Sequence, residues 1–219
     1  MGGALAGAMG VGAAVAALTG SRRAGYAAGG AVALVAGALR WQLQRWFTVQ
    51  PAYEVERRIG ALEIRRYAPR VIARTRVAAG FEHALEEGFH RLAGYIFGGN
   101  RAEARIEMTT PVEADEAAGA RLVTFTMPPG KSLDNLPHPD DPRVELAELP
   151  ERRVAVLTFR GPYRADLVEE MERQVRQRVA DAGLAGTGEP MFAGYDPPST
   201  LPFLRRVEVW LESRSDDFV

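Results

Sequence analysis

A stretch of helix-spaced apolar residues, from 81 to 100, is the clearest feature in the hydrophobic pattern of the chain. Its regularly spaced members are Phe81, Leu85, Phe89, Leu92 and Ile96. At the helical rotation of about 100° per residue they fall within an arc of about 80°, the width of a core-facing stripe. Gly98 and Gly99 follow the last of them, where a helix favours a glycine cap. The pattern predicts a helix that ends there and whose apolar side closes a core or lines a pocket.

Alternating apolar and polar positions predict strands on both sides of this helix. The strands predicted before the helix are Tyr53–Ile59, Leu62–Tyr67 and Val71–Val77. The strands predicted after it are Arg105–Val112, Leu122–Met127, Val144–Leu149, Val154–Phe159, Met191–Tyr195 and Arg205–Leu211. The intervening segment Pro128–Pro142 is rich in proline, which predicts a surface loop.

A second amphipathic helix is predicted from about Arg164 to Ala182, and Gly183 ends it. Strand, strand, helix, strand and strand therefore occur twice in this order. The order favours an α+β fold, a distorted, mostly antiparallel β-barrel with two flanking helices that is built from a duplicated β-α-β type unit. The predicted folded domain occupies residues 51–219.

Residues 1–50 have a different pattern, with two uncharged runs at 4–20 and 24–39 that are separated by a Ser-Arg-Arg triplet. Each run is at the short end of the length that crosses a bilayer, and both contain the small-residue spacing of packed membrane helices. We predict a hydrophobic membrane anchor, a helical hairpin followed by an interfacial linker; a flexible Gly/Ala-rich leader is the alternative. Arginines are more frequent after the second run than between the runs, which favours the cytoplasmic face for the domain.

The composition narrows the classes of function. With 27 basic and 28 acidic residues, the net charge of -1 provides no general attraction for nucleic acid. The absence of cysteine excludes thiolate metal ligands, thiolate haem ligation and a cysteine nucleophile. The sequence contains neither a nucleophile elbow nor a phosphate-binding glycine loop, so it predicts a binding protein and not an enzyme. Lys131 is the only lysine among many arginines, a composition typical of GC-rich bacterial genomes.

Three histidines, His83, His90 and His138, are the candidate metal ligands. His83 and His90 are two helical turns apart, about 10.5 Å, which is too far for one zinc ion to bind both. Both lie opposite the apolar stripe, where polar residues usually face solvent. His138 lies in the proline-rich loop and is expected to be exposed.

Five short motifs together carry a resemblance to a known family. They are Tyr53-Glu54-Val55, Met108-Thr109-Thr110-Pro111-Val112, Phe125-Thr126-Met127-Pro128, Gly194-Tyr195-Asp196-Pro197-Pro198 and Arg206-Val207-Glu208-Val209-Trp210. In this order and at these spacings, they resemble the SOUL family of haem-binding proteins over about residues 53–211. The resemblance implies a distorted antiparallel barrel with two helices, and the binding of haem or a related tetrapyrrole.

The resemblance also implies a binding surface, an apolar groove along the first helix with basic residues near the porphyrin carboxylates. Phe89 and Ala93 match the apolar contacts of the family at this groove. Glu86 and Gly94 stand where some relatives have basic residues, so the carboxylate anchors of this chain differ from those relatives.

His90 is the candidate iron ligand, because it follows Phe89 and lies about 100° further round the helix, at the border of the groove. Tyr67 is the alternative donor. A third interpretation is that the ring is buried against apolar side chains without such a ligand, while Arg side chains meet its carboxylates.

Two functions from different classes are therefore compared. The first is a membrane-tethered protein that binds haem or another tetrapyrrole and sequesters or transfers it. The second is an effector- or partner-binding module of the same barrel fold with a non-haem ligand, such as a flat apolar cation. An enzyme has the least support, because no acid–base pair stands out in the sequence.

Overall fold

The computed structural model describes residues 49–117 and 119–213, which belong to a compact unit that begins at Val49. Except for its last two residues, the predicted membrane anchor at 1–50 lies outside the described residues. Within the described ranges, no helix combines the length and the apolar character needed to cross a membrane.

The described residues form nine strands and two α-helices. The strands are β1 (Tyr53–Ile59), β2 (Leu62–Tyr67), β3 (Arg70–Val77), β4 (Val112–Ala117), β5 (Ala120–Thr126), β6 (Val144–Leu149), β7 (Arg152–Arg160), β8 (Gly186–Gly194) and β9 (Arg206–Ser213). The helices are α1 (Phe81–Ile96) and α2 (Ala165–Asp181). Both predicted helices are confirmed, and α1 ends just before Gly98, whose φ of 117° requires a glycine.

All nine strands join one antiparallel sheet in the order β1-β2-β7-β9-β8-β4-β5-β3-β6. The mostly antiparallel α+β class is therefore confirmed, but the predicted closed barrel is wrong. The end strands β1 and β6 do not pair with each other in the described structure. On β1, Glu54, Arg57 and Arg58 are exposed, and charged side chains on an edge strand discourage further pairing.

The sheet order is symmetric about the pairing of β8 with β4. On one side lie β8, β9 and β7, and on the other lie β4, β5 and β3 in the same succession. The helices follow the same symmetry. The outer strands of the two triplets are β7 and β3, and in the chain α2 follows β7 and α1 follows β3. The remaining strands are exchanged, because β2 pairs with β7 and β6 pairs with β3. The first half of the chain thus contributes β2, with β1 on its outer edge, to the sheet of the second half, and the second half contributes β6 to the sheet of the first.

Both helices pack on the same face of the sheet. The side chain of Val123 on β5 comes so close to α1 that a Cβ at Gly88 would lie 2.5 Å from it. Phe81 of α1 contacts Phe192 of β8 edge to face, with ring centroids 5.2 Å apart. Val175 and Val179 of α2 complete a second apolar cluster with residues of β2, β7 and β9. The main core therefore lies between this face of the sheet and the two helices.

The opposite sheet face, called the polar face below, is buried although it carries charged side chains. Its ionised residues include Arg65, Glu113 and Glu208, whose exposed fractions are 2%, 1% and 0%. This face explains one error in the strand prediction, which placed a strand at Arg105–Val112. The observed strand β4 runs from Val112 to Ala117, and its polar sequence is accommodated because Glu113 is paired with arginines on the buried face.

Candidate functional site

One flank of α1 leaves an apolar surface incompletely covered. We call the α1 flank the surface formed by Leu85, Phe89, His90, Ala93 and Phe97. Leu85 and Phe89 are half-buried, Ala93 is buried, and Phe97 is 57% exposed. Leu85, Phe89, Ala93 and Phe97 follow at intervals of four residues, so they form one continuous row along the helix. The row extends from the protein core at Leu85 towards solvent at Phe97.

Small residues form the floor of the α1 flank between its two phenylalanines. Ala93 lies between Phe89 and Phe97, which are separated by about 12 Å along the helix axis, and the exposed Gly94 lies beside this row, about 100° further round the helix than Ala93. A Cβ built at Gly94 would meet no atom within 4 Å, so the space above this position is open. The flank therefore presents an aromatic side chain at each end of the row, with small residues between and beside them.

The aromatic end formed by Phe89 is supported from below by the sheet. Its ring contacts Phe125 of β5 with centroids 5.5 Å apart, and on the other side it lies 6.0 Å from the His90 ring. The close approach of Gly88 to Val123 fixes the distance between this part of α1 and β5. The half-buried Phe89 ring is thus held in place by the core while one edge remains accessible.

The end of the flank at Phe97 is held by the segment that follows α1. Ile106 donates its backbone N–H to the carbonyl of Ile96 at 2.8 Å. Asn100 is 1% exposed, and its side chain bonds to the backbone of Tyr95, Ala102 and Ala104. These bonds replace the missing helical partners at the end of α1 and make the end of the flank well ordered.

Two arginines after α1 are available to meet an anionic group. Arg101 and Arg105 are exposed, and neither forms an ion pair within the part of the chain that the structure describes. The hydrogen bond from Ile106 to Ile96 places Arg105 beside the last turn of α1. Arg91, by contrast, is engaged with Glu87 and with the carbonyl of Arg76. Sequence reasoning missed both Arg101 and Arg105, because they follow the helix in a segment that was read as loop and strand.

The structure places three of the four predicted site residues, Phe89, His90 and Ala93, together on α1. His90 is exposed and its ring lies beside that of Phe89. His83 lies 3.7 Å from Glu87, and His138 is exposed in the proline-rich loop. In the described ranges, no three His, Asp or Glu side chains are grouped so that they could hold a metal ion.

Tyr67, the alternative iron donor, is not part of the α1 flank. It alternates along β2 with Leu62 and Ile64, which face α2, so its side chain lies on the polar face. Its ring is 1% exposed and packs 4.8 Å from the Trp210 ring. Burial raises the pKa of the Tyr67 hydroxyl to about 12, which disfavours the phenolate that would ligate iron. Tyr67 therefore lies apart from Phe89, His90 and Ala93, and its role as the alternative iron donor stays a prediction.

The polar face contains an ion cluster that sequence reasoning did not find. Glu208 accepts hydrogen bonds from both Arg65 Nη atoms at 2.9 and 3.2 Å and from Arg206 Nη2 at 2.6 Å. Tyr195 and Trp210 donate to the same carboxylate, each at 2.8 Å. The only signal in the sequence is that Glu208 alternates with apolar residues in β9, a pattern that ordinarily places a polar residue in solvent.

The charges in this cluster stabilise one another. Burial opposes ionisation of Glu208, but Arg65 and Arg206 outweigh it and hold the pKa of the carboxyl below its ordinary value. Burial likewise opposes the charge of Arg65, yet Glu208 raises the pKa of the guanidinium. Because every oxygen of Glu208 is already engaged, this cluster serves to hold the strands together and offers no free anion.

The comparisons with known proteins agree with the fold and the candidate ligand. Residues 48–212 match a family described as SOUL heme-binding protein. Heme-binding protein 2 of Mus musculus is 26% identical over 174 residues, which cover 76% of this chain and 84% of that protein. Heme-binding protein 2 of Homo sapiens is 28% identical over 166 residues, with coverage of 72% and 80%.

A comparison of folds finds similarity to a chain in a solved protein–DNA complex. A chain in the cryo-EM structure of the EcmrR-DNA complex has a TM-score of 0.53 and 11% sequence identity. The match covers 82% of this chain and 64% of that chain. At this level of identity, the similarity concerns the fold alone.

Proposed function

This chain belongs to the SOUL heme-binding protein family, and from that premise we propose that it binds haem on the α1 flank without catalysing a reaction. The observation that carries the proposal is the incompletely covered apolar row of Phe89, Ala93 and Phe97, with open space beside it at Gly94. A flat macrocycle placed there would cover the exposed ring of Phe97 and the accessible edge of Phe89. Removing this apolar surface from water favours binding by roughly 25 cal/mol per Å².

The residues around the floor provide the polar contacts that a tetrapyrrole requires. Its carboxylates would be met by Arg101 and Arg105, which are exposed near the end of α1. Bound haem supplies an iron centre that can accept axial ligands, and His90 is the side chain at the border of the flank that can donate one. Most of the binding free energy is assigned to burial of the ring, because one exposed histidine is a weak determinant.

A hemin titration of the purified full-length protein, followed through the Soret absorption band, tests the proposed surface. The variant Gly94→Leu places a branched side chain on the open floor and is expected to weaken hemin binding about tenfold or more. Gly94→Ala is the matched control, since its single methyl group leaves most of the floor open. If Gly94→Leu binds hemin as tightly as the unmodified protein, the site is not on the α1 flank.

Two further variants separate iron ligation from burial of the ring. His90→Ala is expected to shift the Soret band if His90 ligates the iron, and to leave the band unchanged if ring burial alone holds the haem. Tyr67→Phe is expected to leave the spectrum unchanged, because Tyr67 is buried on the polar face. A spectral change in Tyr67→Phe with retained folding would contradict the assignment of the site to α1.

We further propose that the protein is tethered to a membrane by residues 1–50, with the folded domain on the cytoplasmic face, and that it sequesters haem or passes it on. The support is the pair of uncharged runs at 4–20 and 24–39 and the excess of arginine after them. A shallow, partly open binding surface also suits a ligand that must leave again. Membrane fractionation with and without residues 1–47, and the rate of hemin transfer to apomyoglobin, test the two parts separately.

The alternative function, binding of a non-haem effector such as a flat apolar cation, has less support. A buried cation requires an unpaired anion, and the buried carboxylates of Glu208 and Glu113 are paired with arginines. A cationic ligand on the polar face would have to displace Arg65 or Arg70. The same titration distinguishes the functions, because a protein of this second kind would show no saturable Soret change with hemin.

A further inference from the structure

A cavity that is separate from the α1 flank lies at one end of the sheet. It has a volume of about 250 Å³. Three chain segments line it, residues 49–52, 68–71 and 126–131, together with Thr109. The volume is smaller than the range of about 300–1,000 Å³ that encloses drug-sized ligands, so the cavity suits a small molecule and is too small for a tetrapyrrole.

Hydrogen bonds between the segments keep the walls of this cavity in place. The N–H of Met127 donates to the carbonyl of Val71 at 2.8 Å, and the N–H of Thr110 donates to the carbonyl of Val49 at 2.9 Å. Thr109 donates its hydroxyl to the carbonyl of Thr126. Proline contributes further rigidity at Pro51, Pro69, Pro128 and Pro129. The cavity is therefore formed before any ligand arrives, which reduces the ordering cost of binding.

The charged residues that line the cavity have one sign. Arg70 and Lys131 are cationic, and no Asp or Glu is present among the described residues of the lining. The Arg70 side chain is 7% exposed, and its Nη2 atom contacts both carboxylate oxygens of Glu113, an acid that it shares with Arg152. Lys131 is exposed and forms no ion pair within the described part of the chain. Two cations and no acid in the lining favour an anionic ligand.

Two buried polar atoms of the lining residues have no hydrogen-bond partner. They are Nε of Arg70 and Oγ1 of Thr126, a residue that is 5% exposed. An unpaired buried polar atom costs about 1–3 kcal/mol, and both residues border the same cavity. Burial and repulsion from Arg152 also lower the pKa of Arg70 in spite of Glu113, so its charge is only partly compensated. An oxygen-bearing ligand that reaches these two residues would supply the missing hydrogen-bond partners.

From these observations we infer that the cavity is a binding site for a small monocarboxylate with an apolar body, such as a single aromatic ring. Its carboxylate would lie towards Arg70, Thr126 and Lys131. Its apolar body would contact Val71, Met127 and the prolines of the lining. The inference does not depend on haem binding, because no residue of the α1 flank lines this cavity.

Fluorine-19 NMR titration of the full-length protein with 4-fluorobenzoate, compared with the neutral 4-fluorobenzamide, tests the inference. We expect the carboxylate to bind about tenfold or more tightly than the amide, because charge-assisted hydrogen bonds are the stronger ones. Equal affinities for the two probes, or no saturable binding of 4-fluorobenzoate, would overturn the inference.

Variants assign the binding to this cavity without disturbing the Arg70–Glu113 ion pair. Lys131→Gln and Thr126→Val are each expected to weaken 4-fluorobenzoate several-fold. Neither change removes a hydrogen bond of the folded protein, because Lys131 is exposed and Thr126 Oγ1 is unpaired. Arg173→Gln, an exposed charge loss on α2, is the matched control and is expected to have no effect. Unchanged affinity in both Lys131→Gln and Thr126→Val would place the probe elsewhere and overturn the assignment.

Gly94→Leu is expected to leave the affinity for 4-fluorobenzoate unaltered, so failure of the haem proposal can be recognised separately.

Discussion

Arg65 donates two hydrogen bonds to the carboxylate of Glu208, although the two residues are 143 positions apart in the chain. Arg65 is in β2 and Glu208 is in β9, and β7 lies between these strands in the sheet. The ion pair therefore spans three neighbouring strands that come from both halves of the protein. Arg65 also pairs with Glu63, and Glu208 also pairs with Arg206. The pair is thus the centre of a buried charge cluster, in which an unpaired ion would be costly.

Replacing Glu208 by glutamine is expected to destabilise the fold by about 3–5 kcal/mol, because Arg65 and Arg206 would keep their charges without the anion. Urea unfolding followed by circular dichroism measures the change. Glu212→Gln, a half-exposed acid in the same strand, is the matched control and should cost less than about 1 kcal/mol. A small effect of Glu208→Gln would show that water or strand rearrangement compensates for the missing charge.

Stability is expected to fall on acidification in the range where Glu208 takes up a proton. The pKa of Glu208 is lowered in the folded protein, so the stabilisation is complete above the unfolded value of about 4.3 and is lost as the pH falls through the lower folded value. Urea midpoints measured from pH 6 downwards test this direction. In Glu208→Gln the same decrease should be smaller, because this acid no longer titrates. An equal decrease in both proteins would assign the acid sensitivity to other carboxylates.

Two glycines of α1 are expected to respond to alanine in opposite ways. At Gly88 a Cβ would lie 2.5 Å from Val123, so Gly88→Ala should destabilise the protein by about 1–3 kcal/mol. At Gly94 a Cβ meets nothing within 4 Å, so Gly94→Ala should stabilise it by up to about 1 kcal/mol through helix propensity. Thermal melts of the two variants provide the comparison. Loss of stability in Gly94→Ala would mean that the floor of the α1 flank is more crowded than described.

Phe89→Ala is expected to reduce hemin affinity more than it reduces stability. The ring is half-buried against Phe125, so truncation should cost less than the about 3–5 kcal/mol of a fully buried phenylalanine. Phe192→Ala, at a position 1% exposed, is the control for full burial. Urea unfolding and hemin titration of both variants measure the two effects. A full-sized loss of stability in Phe89→Ala with unchanged hemin binding would place Phe89 in the core alone.

A shortened chain that begins at Thr48 is expected to fold without residues 1–47, because the described unit starts at Val49. A chain that begins at Ala52 should also fold, but with a stability lower by about 1 kcal/mol. The difference arises because the second chain lacks the carbonyl of Val49, which accepts the N–H of Thr110 at 2.9 Å. Urea unfolding of both chains measures it. Aggregation of the Thr48 chain would contradict the proposed independence of the domain.

The helices were predictable because their apolar stripes and terminal glycines are local signals. Phe81 and the residues at helical spacing after it contact one sheet surface, and Gly98 marks the end of the stripe. The antiparallel sheet was predictable in class from the alternation within single strands. Whether the sheet closes into a barrel was not predictable, because pairing of β1 with β6 depends on the path of the whole sheet and not on either strand alone.

The buried charges were not predictable, and they account for the main errors. Glu113 and Glu208 have the sequence pattern of exposed positions, and only the fold shows that arginines from distant strands meet them. The position of Tyr67 on the polar face also depends on the strand register, which the sequence of β2 alone does not provide. At the α1 flank, Phe89 and Ala93 could be named from the family resemblance, whereas Arg101 and Arg105 required the path of the chain after α1.

The exchange of β2 and β6 between the two halves has a consequence for synthesis on the ribosome. β2 leaves the ribosome early, but its inner neighbour β7 begins only at Arg152, and the buried carboxylate that pairs with Arg65 follows at Glu208. The amino-terminal half therefore emerges with an unpaired strand edge, and Arg65 has only Glu63 of its two carboxylate partners. This half cannot complete its sheet alone. Folding of this protein must remain unfinished until nearly the whole chain has been translated, so the waiting nascent chain is the form most exposed to chaperones and aggregation.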